Sequence, residues 1–145
     1  MKVAFNGCFG GFSLSPLAET EYRKKKGITL TWYEGVGDYP YESYVKVADV
    51  SALSERGRSI FSLSAAIEDL GDRITKIPEG SAFYESWYGS ENRSDPDLIA
   101  VIESLGDASS GVHANLMIKE IPDGAEFEID EYDGNETVVP PRQVW

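Results

Sequence analysis

A thiol and an imidazole are the side chains best suited to nucleophilic chemistry, and this chain holds one of each, Cys8 and His113. Acting together they would need the fold to set the imidazole beside the sulfur, with Glu103 or Asp107 close in sequence to orient the base. No spacing rule brings them together. A lone cysteine after a short strand is usually a small buried residue, and His113 sits in a polar Gly-Val-His stretch suited to an exposed loop. Binding rather than catalysis is therefore expected, with no catalytic residue assigned and no cofactor. A closed Cys/His zinc site would have to be shared between chains. Asp130, Glu131, Asp133 and Glu136 bunch together without the spacing of an EF-hand loop, so no metal site is assigned.

The segment from Asn6 to Ser15 has the composition of a ligand site. Gly7, Gly10 and Gly11 allow backbone N–H groups to approach an anion, and a helix starting near Ser15 would add unpaired donors and the positive end of its dipole. Phe9 and Phe12 could stack on a base. The segment is no phosphate-binding loop of the Gly-Lys-Ser/Thr kind and lacks the dinucleotide glycine pattern. If it binds, Asn6, Gly10, Gly11, Phe12 and Ser13 line the site, with Tyr84 and Trp87 as stacking partners from an aromatic cluster completed by Phe83 and Tyr88. The plain structural reading is a strand-to-helix turn carrying two core phenylalanines, with the cluster half-buried under a long loop.

A second constellation is acidic. Glu126, Glu128, Asp130 and Tyr132 alternate with Phe127 and Ile129 and so share one outward strand face, to which Asp133 and Glu136 are added. Like charges in a row repel, and such a row could mimic nucleic acid against the groove of a basic protein. The plain reading is a solvated face that protects a strand from aggregation.

The elements that must position these groups follow from periodicity. Residues 2–5 read as a strand. Ser15 as cap, Pro16 in the first turn, Lys24 to Lys26 at the negative dipole end and Gly27 as stop predict a helix. Alternation predicts strands over 28–33 and 44–50 around a loop at 35–41. Ile60, Leu63, Ile67 and Leu70 predict a short helix, 73–77 a strand, and 80–93 a long loop. Ser94 or Asp95 as cap, Pro96, then Leu98, Val101, Ile102 and Leu105 on one face, with Gly106 as stop, predict an amphipathic helix. Strands at 116–121 and 125–132 about Pro122-Asp123-Gly124 predict a hairpin, which Asp133-Gly134 could extend through 137–139 into a meander. The expected class is α+β: a mostly antiparallel sheet, two to three helices packed on one face, and a C-terminal hairpin or meander, in one domain over 1–145.

With 145 residues, 41% hydrophobic and 26% charged, the chain suits one folded domain. It shows no apolar run long enough to span a bilayer, and a protein that is neither spanning nor secreted is expected. One cysteine fits a reducing cytoplasm. The net charge of −12 is unevenly placed: eight basic and seven acidic residues lie in 1–60, five basic and eighteen acidic in 61–145. Such a field disfavours direct nucleic-acid and membrane binding and favours basic protein surfaces.

Gly10-Gly11-Phe12-Ser13-Leu14-Ser15, Arg93-Ser94-Asp95-Pro96-Asp97-Leu98-Ile99, Glu103-Ser104-Leu105-Gly106, Glu120-Ile121-Pro122-Asp123, Ile129-Asp130-Glu131-Tyr132-Asp133-Gly134 and the final Trp145 resemble segments of a group of small uncharacterised proteins of tailed bacteriophages. The likeness covers both ends and leaves about residues 28–92 unmatched. Ahead of Trp145 this chain departs from the group, with Val138-Val139-Pro140-Pro141-Arg142 in place of an acidic or His-containing stretch. The resemblance implies a phage setting and no mechanism. In that setting the expected function is anti-defence or host takeover by sequestering a nucleotide-type ligand, with an acidic DNA mimic of a host protein's partner as the alternative. A homo-oligomer is expected for a sequestering protein, because small domains complete pockets across symmetric interfaces.

Overall fold

A computed structural model describes residues 1–37, 41–50, 63–75, 92–111 and 113–141. The chain gathers into two compact units, Met1–Tyr22 with Ser86–Trp145, and Arg23–Glu85. Antiparallel sheets, two helices among the described residues and a C-terminal hairpin make the fold α+β.

In the first unit β1 (Lys2–Asn6) pairs antiparallel with β6 (Leu116–Glu120), placing Ala4 opposite Ile118 and Asn6 opposite Leu116. Val3, Ala4 and Asn6 are all buried, so β1 loses the one-sided alternation of a surface strand. The reason is that β8 (Asn135–Val139) packs beside it, covering a second side. Helix α1 (Pro16–Lys25) begins as expected: Ser15 Oγ accepts the Ala18 N–H at 3.2 Å, and basic residues fill the last turn. Its buried hydrophobic residues, Ala18 and Tyr22, meet α2 (Pro96–Leu105) in a core with Ala4, Leu14, Leu98, Ile99, Val101 and Ile102. Asp95 caps α2. Its Oδ1 accepts the Asp97 N–H at 2.9 Å, and its Oδ2 accepts the Tyr22 hydroxyl at 2.6 Å, tying the cap of one helix to the core face of the other.

The C-terminal strands pair differently from the expected first hairpin. The turn at Pro122–Gly124 forms, with the Ala125 N–H on the Pro122 carbonyl at 3.0 Å, but β6 takes β1 as its partner. Instead β7 (Glu128–Tyr132) pairs with β8 through Asp133-Gly134. Positive φ at Asp133 (51°) and Gly134 (84°) gives the two-residue turn whose twist matches the strands it joins.

The second unit is a four-stranded antiparallel sheet in the order β4-β2-β3-β5, built from β2 (Thr31–Val36), β3 (Ser43–Lys46), β4 (Leu63–Ala66) and β5 (Arg73–Ile74). The helix expected from Ile60 to Leu70 is therefore corrected: of its described residues, Leu63–Ala66 form strand β4, paired with Thr31–Glu34, and Ile67, just beyond the strand, is exposed. Offsets of three and four are outweighed by a partner strand offering backbone hydrogen bonds. Strand limits also differ. Gly35 and Val36, expected in a loop, extend β2 to pair with Tyr44 and Ser43. A Cβ on Gly35 would collide with the Tyr41 ring, so a bare backbone lets that aromatic cover the strand. Tyr33 is buried; its hydroxyl donates to the Gly71 carbonyl at 2.9 Å and accepts the Leu70 N–H at 2.8 Å. Ile60, residues 38–40, the end of the 73–77 strand and the 80–91 part of the long loop lie outside the described residues.

On this sheet's margin Lys46 donates to Asp69, which also accepts the Gly71 N–H at 2.9 Å. The ammonium and that N–H hold the Asp69 carboxyl below its ordinary range, and Asp69 raises Lys46. A depressed carboxyl contributes stability above its unfolded value and loses it as pH falls through the folded one. Asp69 is expected to titrate below an ordinary aspartate by carboxylate NMR, and Lys46→Met to return it upward; an unchanged titration in that variant would remove the assignment.

Candidate functional site

The glycine-rich segment leaves β1 at Asn6 and reaches α1 at Ser15, so both expected sites converge on the region where it meets the β7–β8 turn. Asn6 is fully buried. Its Nδ2 donates to the carbonyls of Cys8 at 2.7 Å and Gly134 at 2.8 Å, and its Oδ1 accepts the Asn115 N–H at 2.8 Å. Its own N–H donates to Glu136 Oε1 at 2.8 Å. The amide of Asn6 thus ties three stretches of chain together, with both donors directed at protein carbonyls.

The glycines are packed in the same way. The Gly7 N–H donates to the Asn115 carbonyl at 2.8 Å and the Gly10 N–H to the Asp133 carbonyl at 3.2 Å. A Cβ on Gly10 would run into the His113 carbonyl oxygen, and one on Gly134 into the backbone nitrogens of Gly11 and Gly10. Close approach of two backbones, rather than of backbone to ligand, accounts for these glycines. Gly11 itself, at φ 93°, has open space where a Cβ would lie. Half-buried Ser13 accepts the Gly111 N–H on its carbonyl at 2.9 Å. The segment reads as a pinned turn.

One face of the Phe12 ring is occupied: the Arg93 guanidinium lies over it, 3.8 Å from the centroid. Arg93 and Glu136, both buried, form a bidentate pair with Nη1–Oε1 at 2.6 Å and Nη2–Oε2 at 2.8 Å. Backbone contacts add to this, since the Ala4 N–H donates to the Arg93 carbonyl at 2.8 Å. The expectation that Glu136 belongs to the acidic surface row is corrected: its carboxylate faces inward from β8, at a position where alternation with exposed Thr137 turns it toward Arg93. Sequence reasoning misses this pair. The available signal is Glu136 lying one residue from exposed Thr137 and two from buried Val138 on the same strand face, but nothing points to Arg93 as partner.

The rest of the acidic row faces solvent, and so does Glu131, which strict alternation would have turned inward. Glu126, Glu128, Asp130 and Tyr132 are all exposed, as is Asp133, while Phe127 and Ile129 are half-buried. Tyr132 is 79% and Phe9 60% exposed, and their rings meet edge to face at 6.4 Å between centroids. A row of carboxylates with two solvent-facing rings at one end can receive cations and guanidinium groups.

Cys8 and His113 do come together, through the main chain. Cys8 Sγ lies 3.4 Å from the His113 carbonyl oxygen and 3.5 Å from Asn6 Oδ1, and His113 is exposed. A carbonyl oxygen accepts a hydrogen bond without removing the thiol proton, so this contact does not activate sulfur. Tyr84 and Trp87 lie outside the described residues. Among the described residues no helix is long and apolar enough to cross a membrane. Protein-family models, curated proteins and solved structures were compared with the chain, and nothing matches.

Removing one member of a buried ion pair leaves the other charged and unsolvated, which costs about 3–5 kcal/mol. Glu136→Gln and Arg93→Met are each expected to lower the free energy of unfolding by that order in urea titrations. The double variant should cost less than the two single losses combined. Additive losses would show that the two side chains act separately.

Proposed function

We propose that the protein acts by binding, presenting the outward face of β7 as an acidic mimic of nucleic acid to a basic nucleic-acid-binding protein in the cytoplasm of an infected cell. The observation that carries this reading is the exposure of Glu128, Asp130 and Tyr132 at alternate positions of β7, with exposed Glu126 just ahead of the strand. The strand is paired with β8 through the Asp133-Gly134 turn, and Glu136 on β8 is buried against Arg93. Side chains two apart on a strand recur about every 7 Å, near half the linear charge density of a single nucleic-acid strand at about one charge per 3.4 Å. Exposed Phe9 and Tyr132 add ring faces for arginine. The phage setting comes from the resemblance of both chain ends to small tailed-phage proteins.

A nucleotide-type ligand on Asn6, Gly10, Gly11, Phe12 and Ser13 fits this geometry less well. Asn6, Gly7 and Gly10 already spend their donors on carbonyls, and the Phe12 ring is covered by Arg93. The two readings separate in one set of measurements. An arginine-rich peptide, titrated calorimetrically, should bind the native chain with affinity that falls as salt rises and the screening length shortens to about 8 Å. The combined variant Glu126→Gln, Glu128→Gln and Asp130→Asn should keep its unfolding midpoint and bind about tenfold more weakly, about 1.4 kcal/mol. Binding that ignores salt and these substitutions would end the mimic reading. A thermal shift with mono-, di- or cyclic nucleotides, in the absence of peptide, would instead support the ligand.

A further inference from the structure

Asn6 is followed by Gly7, and of the four asparagines, at positions 6, 92, 115 and 135, it alone precedes a glycine. An unhindered glycine nitrogen is the backbone group best able to attack a preceding asparagine side chain. We propose that Asn6-Gly7 is a latent deamidation site that the native fold shields and that unfolding releases, making the loss of structure irreversible. This inference is independent of which partner the chain binds.

The chemistry needs three freedoms that the fold withholds. The Gly7 nitrogen must give up its proton and bond to Asn6 Cγ, the Cγ–Nδ2 bond must break with ammonia leaving, and water must then open the cyclic imide at either carbonyl. The products are aspartate or isoaspartate at position 6, with no change of oxidation state. In the folded chain the Gly7 proton is held on the Asn115 carbonyl at 2.8 Å. The leaving nitrogen, Nδ2, is held by the carbonyls of Cys8 and Gly134, and Oδ1 by the Asn115 N–H. Asn6 has no solvent exposure at all, so water is kept from the second step. Nucleophile, electrophile and leaving group are each engaged elsewhere.

The product cannot return to the same place. A carboxylate at position 6 would set an acceptor oxygen against the Cys8 and Gly134 carbonyls where two N–H donors stood, and would bring a second negative charge near Glu136, which accepts the Asn6 N–H. Isoaspartate would also lengthen the backbone by one carbon where β1 registers with Leu116. Time spent unfolded therefore converts the chain to one that no longer refolds, and the extent of conversion follows the fraction of time this region is open.

The test holds the intact protein at mildly alkaline pH in native buffer and in denaturing urea for equal times. Peptide mapping then quantifies asparagine, aspartate and isoaspartate at position 6, before and after dilution from urea. Conversion is expected in the unfolded sample, at least tenfold slower in the folded one, with the refoldable fraction falling in step. Gly7→Ala should slow conversion severalfold in urea, where folding plays no part. The Asn6→Asp variant should unfold at lower urea or fail to fold. Equal conversion in folded and unfolded samples, full refolding of converted chains, or an Asn6→Asp variant with an unchanged midpoint would overturn the proposal. The Asp-Gly pairs at 123–124 and 133–134 isomerise without exchanging an amide for an acid, so the mass readout at position 6 is unaffected.

Discussion

The buried pair of Arg93 and Glu136 is the constraint around which the first unit is arranged. Two charges removed from water are tolerated only where geometry is good and the remaining hydrogen-bonding capacity is met. Here the two terminal guanidinium nitrogens find both carboxylate oxygens, Phe12 supplies a ring face, and the Asn6 N–H adds a further bond to the carboxylate. These partners come from β1, the glycine-rich segment, the stretch ahead of α2, and β8. Four stretches distant in sequence are thus obliged to meet at one point. An ion pair of this kind gives little net stability over an apolar substitute, but it penalises any arrangement in which one partner is missing.

Next to it, Asn6 does with neutral groups what the ion pair does with charges. Its amide joins the end of β1 to the β7–β8 turn and to the approach to β6. The close contact of Gly134 with Gly10 and Gly11 then becomes intelligible, since side chains at either place would hold the turn away from the segment. The same contacts that make this region precise engage the Asn6 amide and the N–H groups of Gly7 and Gly10. What remains open to solvent is the other side of the hairpin, with its carboxylates and the Phe9–Tyr132 ring pair.

The elements that were legible in the sequence are those with local chemical causes. Ser15, Pro16 and Gly27 bound α1, Asp95, Pro96 and Gly106 bound α2, and alternation assigned Glu126, Glu128, Asp130 and Tyr132 outward. Where several local patterns competed, locality misled. Ile60, Leu63, Ile67 and Leu70 have helical offsets, yet Leu63–Ala66 form a strand, because they complete a ladder with β2. The Pro122–Gly124 turn implied a hairpin between its flanking strands, whereas β6 lies against β1 from the far end of the chain. Glu136 looked like one more surface acid because charge is visible in a sequence and burial is not.

The uneven placement of charge, the absence of a disulfide framework, the two capped helices and the acidic strand face were determined by residue type and spacing alone, since capping, periodicity and Coulomb repulsion act over a few residues. Only the tertiary structure decided that β1 would take β6, that the glycine-rich segment would close on the Asp133-Gly134 turn, and that Glu136 would turn inward to Arg93. Those outcomes rest on contacts between residues 43 to 130 positions apart. Their energy appears only once the chain has already closed the loops between them, and no local pattern records it.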